Sequence, residues 1–245
     1  MEEDEYLNFN FWPAFTDFML AVVLILILAI GGVQFSGINV RTIWEKQQQL
    51  ARALEDDATR LVTAGAVHEI RNRRSGELLY RLSVDPDDPM LQRIAFSDAL
   101  LFPRDDYQLR AHGRGALLRV GRAIQERLED LVEIQIHGHA DPYRTSRFED
   151  NLELASRRAN EVFRFLHAHA EIDPAKHLMS ATSFAEFSPV SRLRDKTYGR
   201  VELSRDNSSE AKRKLNRRIE LLLFYRRPGA VPAQSKEPAA TAVIR

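Results

Sequence analysis

Leu-Val-Glu-Ile-Gln-Ile-His-Gly-His-Ala-Asp, residues 131 to 141, decides the reading of this chain. Val132, Ile134 and Ile136 alternate with Glu133, Gln135 and His137, the period of a strand with one buried face. Gly138 then opens a polar turn that ends on an acid, Asp141. Upstream, residues 109 to 128 carry the spacing of an amphipathic helix and Arg93 to Phe102 (RIAFSDALLF) reads as a strand, so the local order is β-α-β. Downstream, residues 148 to 168 form a long helix with an apolar stripe of Leu152, Ala155, Ala159, Val162, Phe163 and Leu166. Leu178 to Thr182 is a short strand and Arg218 to Tyr225 (RIELLLFY) a strong final one. The polar stretch 192 to 214 reads as loop, with a helix near Ser209 to Leu215. The sum is an α+β sandwich, β-α-β-α-β-β, with helices on one face of a mixed sheet.

The flanks are of different character. Residues 77 to 84 predict a further strand before the Asp85 to Pro89 turn (DPDDP), and Arg71 to Gly76 (RNRRSG) reads as an exposed turn. Residues 36 to 76 predict a helical connector, in which Ile43, Leu50, Leu54 and Leu61 fall near heptad spacing, interrupted by Gln47 and Asp57. Two such heptads fit either a dimer contact or plug-like segment, or a spacer helix with one face on the domain. The domain proper is expected over 77 to 227, and the tail 228 to 245, with no apolar period, is expected to be disordered.

Residues 11 to 35, FWPAFTDFMLAVVLILILAIGGVQF, contain one charged residue, and about 20 helical residues cross a ~30 Å hydrocarbon core. The preceding residues 1 to 10 are acidic where a signal peptide would be basic, so the segment reads as a retained transmembrane anchor. Trp12 suits the interface, and Pro13 is tolerated in a first helical turn. Asp17 lies inside the span, where an ionised carboxylate is costly unless partnered or hydrated. That makes it a candidate proton carrier facing a partner that lines a wet path. No Lys or Arg precedes the span, whereas Arg41, Lys46 and Arg52 follow it, a bias that favours a cytoplasmic C-terminal part.

Composition narrows the classes. The 245 residues hold 35 Lys+Arg against 35 Asp+Glu and no cysteine, which removes the basic excess of a nucleic-acid binder, a disulfide framework and any thiolate metal site. The basic run Arg213 to Arg218 (RKLNRR) stands at a strand entrance and reads as salt-bridged, not as a nucleic-acid patch. The cluster His137, His139, Asp141 has the look of a metallohydrolase HxHxD motif. Pro142 follows directly, no second clear His/Asp cluster appears, and His167, His169 and His177 lie at or beyond the end of a helix explained by packing, so no metal site and no catalytic residue are assigned.

Two resemblances add to this reading. Trp12, Phe15 and Thr16-Asp17-Phe18-Met19-Leu20 resemble the helix of MotB-type stator subunits; the ExbD and TolR subunits share a similar acid. Gly138-His139-Ala140-Asp141, then Asn151, Leu154, Arg158 and Ala159, then Asn216-Arg217-Arg218-Ile219-Glu220 resemble three ordered motifs of the OmpA-like peptidoglycan-binding module. The resemblance implies a non-enzymatic inner-membrane subunit of a motor complex. Asp17 would carry the translocated ion, H⁺, without a cofactor, inside a multi-span MotA- or ZorA-like partner. A homodimer, a cytoplasmic N-terminus and a periplasmic C-terminal domain are implied with it, against the flanking charges. It also implies that Asp141 pairs with the ammonium and Arg158 with the carboxylate of a diaminopimelate side chain of peptidoglycan, Asn151 and Leu154 shaping the site. Length and compact connector are most similar to the ZorB subunit of Zorya antiphage defence, with a flagellar stator or a purely structural wall tether as alternatives. The chain departs from the module at Ala140 (usually Thr), Asp150 (Tyr) and Ala155 (Ser), in a slightly longer loop before Asn151, and in Ser183-Phe184-Ala185-Glu186, where many members have Gly-Tyr-Gly-Glu.

Overall fold

The computed structural model describes residues 12–56, 58–64, 67–192 and 197–227, without the side chains of 33–39 and 64. The expected tails, 1–10 and 228–245, lie outside the described residues. The chain divides into two compact units at residues 42 and 43. The first is the apolar part of helix α1 (Trp12–Ala53). Within Trp12–Gly32 an 18-residue stretch reaches a mean hydropathy of 2.5 and none of it is buried, and the segment is long and apolar enough to cross a membrane.

The second unit begins with the last turns of α1 and holds β1 (Thr59–Ala64), β2 (Val67–Asn72), β3 (Leu78–Val84), β4 (Leu91–Ser97), α2 (Asp98–Leu101), α3 (Ala111–Gln125), β5 (Leu131–His139), α4 (Asn151–His169), β6 (Leu178–Ala185), α5 (Arg200–Asp206), α6 (Glu210–Asn216) and β7 (Arg218–Tyr225). The sheet order is β1-β2-β3-β4-β7-β5-β6. β5 and β6 run parallel and all other neighbours antiparallel. This is the expected α+β mixed sheet, extended by a hairpin.

That hairpin is the main departure from the sequence reading. The connector does not continue as helix to residue 76, because the chain turns at Asp56, whose carboxylate accepts from Ala58 N, while Thr59 Oγ1 donates to Leu54 O. Leu61 fits a heptad by its distance from Leu54, but it lies on β1 opposite Ile70. Ile43, Gln47, Leu50, Ala51 and Leu54 are buried against the domain, so in this chain the apolar seam is filled by its own core. Gln47 Nε2 donates to Pro89 O, which ties the interrupting polar residue into the DPDDP turn.

Four smaller differences are local. β4 ends at Ser97, not Phe102: Leu100, Leu101 and Phe102 are all buried in succession, which a helical turn satisfies and an alternating strand does not. A register shift between Leu131 and Glu133 turns Val132 outward, leaving it 46% exposed while Ile134 and Ile136 are buried. Leu152 is half exposed and Phe165 takes its place in the α4 stripe. Within the stretch expected as loop, α5 forms without an apolar stripe; its Val201 is exposed, and its start is closed by Gly199 N donating to Glu202 Oε2.

Gly138 sets the distance between α4 and the sheet. A Cβ placed there would lie 2.2 Å from Ala155 O. Since that obstacle is helix backbone, Gly138→Ala is expected to cost about 3 kcal/mol, at the upper end of the usual overpacking range; a denaturant midpoint unchanged from wild type would refute this.

Candidate functional site

Asp141, Asn151, Leu154 and Arg158 are brought to one end of the sheet. Asp141 stands just past β5, held where Ala140 N donates to Ala185 O. Asn151 opens α4, capped by the Asp150 side chain accepting from Glu153 N at 2.8 Å. Asn151, Leu154 and Arg158 follow at i, i+3 and i+7 and are buried along the same helix face. Asn151 Nδ2 donates to Asp141 O at 2.9 Å and closes the intervening loop.

The two charged members do not face each other as a free acid and a free guanidinium. Arg217 Nη1 donates to Asp141 Oδ2 at 2.5 Å, and Arg217 Nη2 to Glu210 Oε1 at 2.7 Å. Arg158 donates from Nε to Asp106 O (2.8 Å), from Nη1 to Asp98 Oδ2 (3.2 Å) and from Nη2 to Pro103 O (3.3 Å), with its guanidinium 5.2 Å above the Phe102 ring. Asp98 Oδ1 lies 3.8 Å from Arg217 Nε, so Asp98 joins the two arginines. The sequence reading missed Asp98, which it placed inside a strand. Arg217 stands in a motif and in a run expected to be salt-bridged, but nothing local reveals which acid its guanidinium will meet.

The electrostatics follow from burial. Removal from water pushes the Asp98 carboxyl above its ordinary range, against Arg158 and Arg217, which favour its charge. Burial lowers Arg158 in the same way, with Asp98 opposing. For Arg217 burial also works downward, but the bonds to Glu210 and Asp141 prevail and raise it. The result is an alternating chain of charges, Arg158–Asp98–Arg217–Asp141, able to exchange an internal partner for a ligand carboxylate or ammonium.

On the opposite face of β5, His137 and His139 meet Glu220 with ligand-type atoms all within 4.8 Å. The HxHxD pattern is thereby split, since Asp141 pairs with Arg217. Glu220 accepts from Arg218 Nε (2.7 Å) and Arg93 Nη1 (3.4 Å), and His139 Nε2 lies 3.5 Å away. A divalent cation at this carboxylate would meet two guanidiniums already in place. Burial would raise Glu220, but Arg218 and His139 outweigh it and hold the carboxyl far below its usual range.

Residues 101–217 match the OmpA family. A putative MotB-like protein from Desulfovibrio vulgaris superposes with a TM-score of 0.53 at 19% identity, over 77% of this chain and 97% of its own. The periplasmic domain of Helicobacter pylori MotB superposes with a TM-score of 0.50 at 19% identity, over 66% and 88%. A comparison with curated protein sequences finds no match. The second unit is thus an α+β OmpA-like domain, and at these identities the likeness to MotB structures is one of fold.

A carboxyl with a depressed folded pKa stabilises above the ordinary glutamate range and loses that contribution as pH falls toward the folded value. Glu220→Gln is therefore expected to be about 3 kcal/mol less stable than wild type at pH 7. The gap should narrow below about pH 4, read by denaturant unfolding at pH 7 and pH 3; a gap independent of pH would refute it.

Proposed function

We propose that this chain is the wall-anchored subunit of a proton-driven membrane motor of the MotB type. Trp12–Gly32 spans the inner membrane, Asp17 takes up and releases protons against a multi-span partner, and the OmpA-like domain holds peptidoglycan in the periplasm. The observation that carries the reading is the joining, in one chain, of an apolar helix with a single acid and an OmpA-like domain whose Asp141 and Arg158 are linked through Arg217 and Asp98. The exposed apolar surface of α1, with Phe18, Leu20, Ile25 and Leu28 each more than half exposed, calls for lipid or a partner helix. A zwitterionic diaminopimelate end matches the site chemically, its ammonium replacing Arg217 on Asp141 and its carboxylate taking the Arg158 fork.

The charges after the span oppose a periplasmic domain, but a long domain crosses largely regardless of its own charges. The domain core starts at Ile43, soon after the apolar span ends at Gly32. So short a connector supports a Zorya-type defence subunit over a flagellar stator. The motor is read as a dimer of this chain inside its partner.

Two measurements test the reading. Asp17→Asn is expected to abolish the motor-dependent phenotype while membrane insertion and wall binding persist; full function in that variant would reduce the chain to a structural tether. Arg158→Lys keeps a cation beside Asp98 but lacks the planar fork, and is expected to weaken binding of the full chain to purified sacculi about tenfold. Undiminished binding would remove Arg158 from the ligand site.

A further inference from the structure

Arg158 is only 3% exposed, and two of its three acceptors are the carbonyls of Pro103 and Asp106 in the turn between α2 and α3. A carboxylate that binds a guanidinium as a fork needs two N–H groups on one edge at once. The turn therefore stands where a ligand would have to enter.

What holds the turn down is Asp105, which lies between those two carbonyls. Its carboxylate accepts from Ser146 N (2.9 Å), Ser146 Oγ (2.6 Å) and Thr145 Oγ1, all in the loop between β5 and α4. Arg147 Nη1 adds a bond to Asp106 Oδ2 at 3.0 Å. The Asp105 backbone is left-handed, φ 55°, a strained state for an L-residue that persists only where its surroundings impose it. Burial acts to raise the Asp105 carboxyl, but the Ser146 and Thr145 donors prevail and keep it ionised and able to accept. The loop supplying these donors is the one that is slightly longer than the resemblance leads one to expect.

We propose that Asp105 is a positioning residue that latches the wall-binding site shut, keeping Arg158 closed to a ligand carboxylate until its bonds to Thr145 and Ser146 part. The inference rests on the wall-binding reading of Asp141 and Arg158. An apparent dissociation constant rises in inverse proportion to the competent fraction, so a latch that favours the closed state weakens binding and its loss strengthens it. The site would engage the wall only when the two loops separate.

The test uses the full chain in detergent and the tripeptide L-Ala-γ-D-Glu-meso-diaminopimelate as probe. The latch is broken from one side by Asp105→Gly, which suits the positive φ, and from the other by Thr145→Val with Ser146→Ala. If one variant misfolds, the other carries the test. Each is expected to bind the tripeptide about tenfold more tightly than wild type, and to show faster modification of Arg158 by phenylglyoxal, read by peptide mass. If wild type binds in an Arg158-dependent way and the variants bind no more tightly, the latch is refuted and the wall-binding reading stands. If neither wild type nor variants bind the tripeptide, that reading falls and the latch with it, whatever the phenylglyoxal rates.

Discussion

Asp98 is a carboxylate held almost out of water between two guanidiniums, and the arrangement of the functional end of the domain depends on it. Taking an ion into a low-dielectric interior costs several kcal/mol unless its partners are placed well. Arg158 from α4 and Arg217 from the entrance to β7 supply that placement. Because Asp98 N also donates to Arg217 O, the start of α2 is tied to the start of β7 by backbone as well as charge. Asp141 then balances Arg217 and fixes the end of β5. Four elements are thus brought to one point by a polar requirement, while the apolar core behind them determines only that they pack.

The other face of the sheet shows the same logic with different members. Glu220, Arg218, the half-buried Arg93 and Asp85 form an ionic ladder, with His139 stacked on Phe184 beside it. Its charges are matched within the chain, so the face reads as structural despite its histidines. The site around Asp141 differs in opening toward water, through Arg217 to the exposed Glu210.

Much of this was legible in the sequence where burial imposes a period. The alternation from Ile134 to Ile136 and the near-continuous apolar run of β7 announced central strands, and the α4 stripe announced its helix. Illegible were features that periodicity does not encode. Leu61 lies seven residues after Leu54, a spacing that a heptad and the inward face of a strand both accept. Asp98 carries no local sign of the arginines it will meet, and α5 has no apolar face to betray it. Asn151, Leu154 and Arg158 stand out as a group only through the resemblance to the OmpA-like module, and their spacing then places them on one side of a helix. The partners that now occupy Arg158 come from a turn over fifty positions earlier, beyond any local pattern.

The last strand among the described residues lies inside the sheet. β7 lies between β4 and β5, so until Arg218–Tyr225 emerges the domain consists of two separate half-sheets, β1 to β4 and β5 with β6. Each half has an open edge awaiting the same strand. Closing the sheet therefore waits on pairings between residues far apart in sequence, which are slow to form.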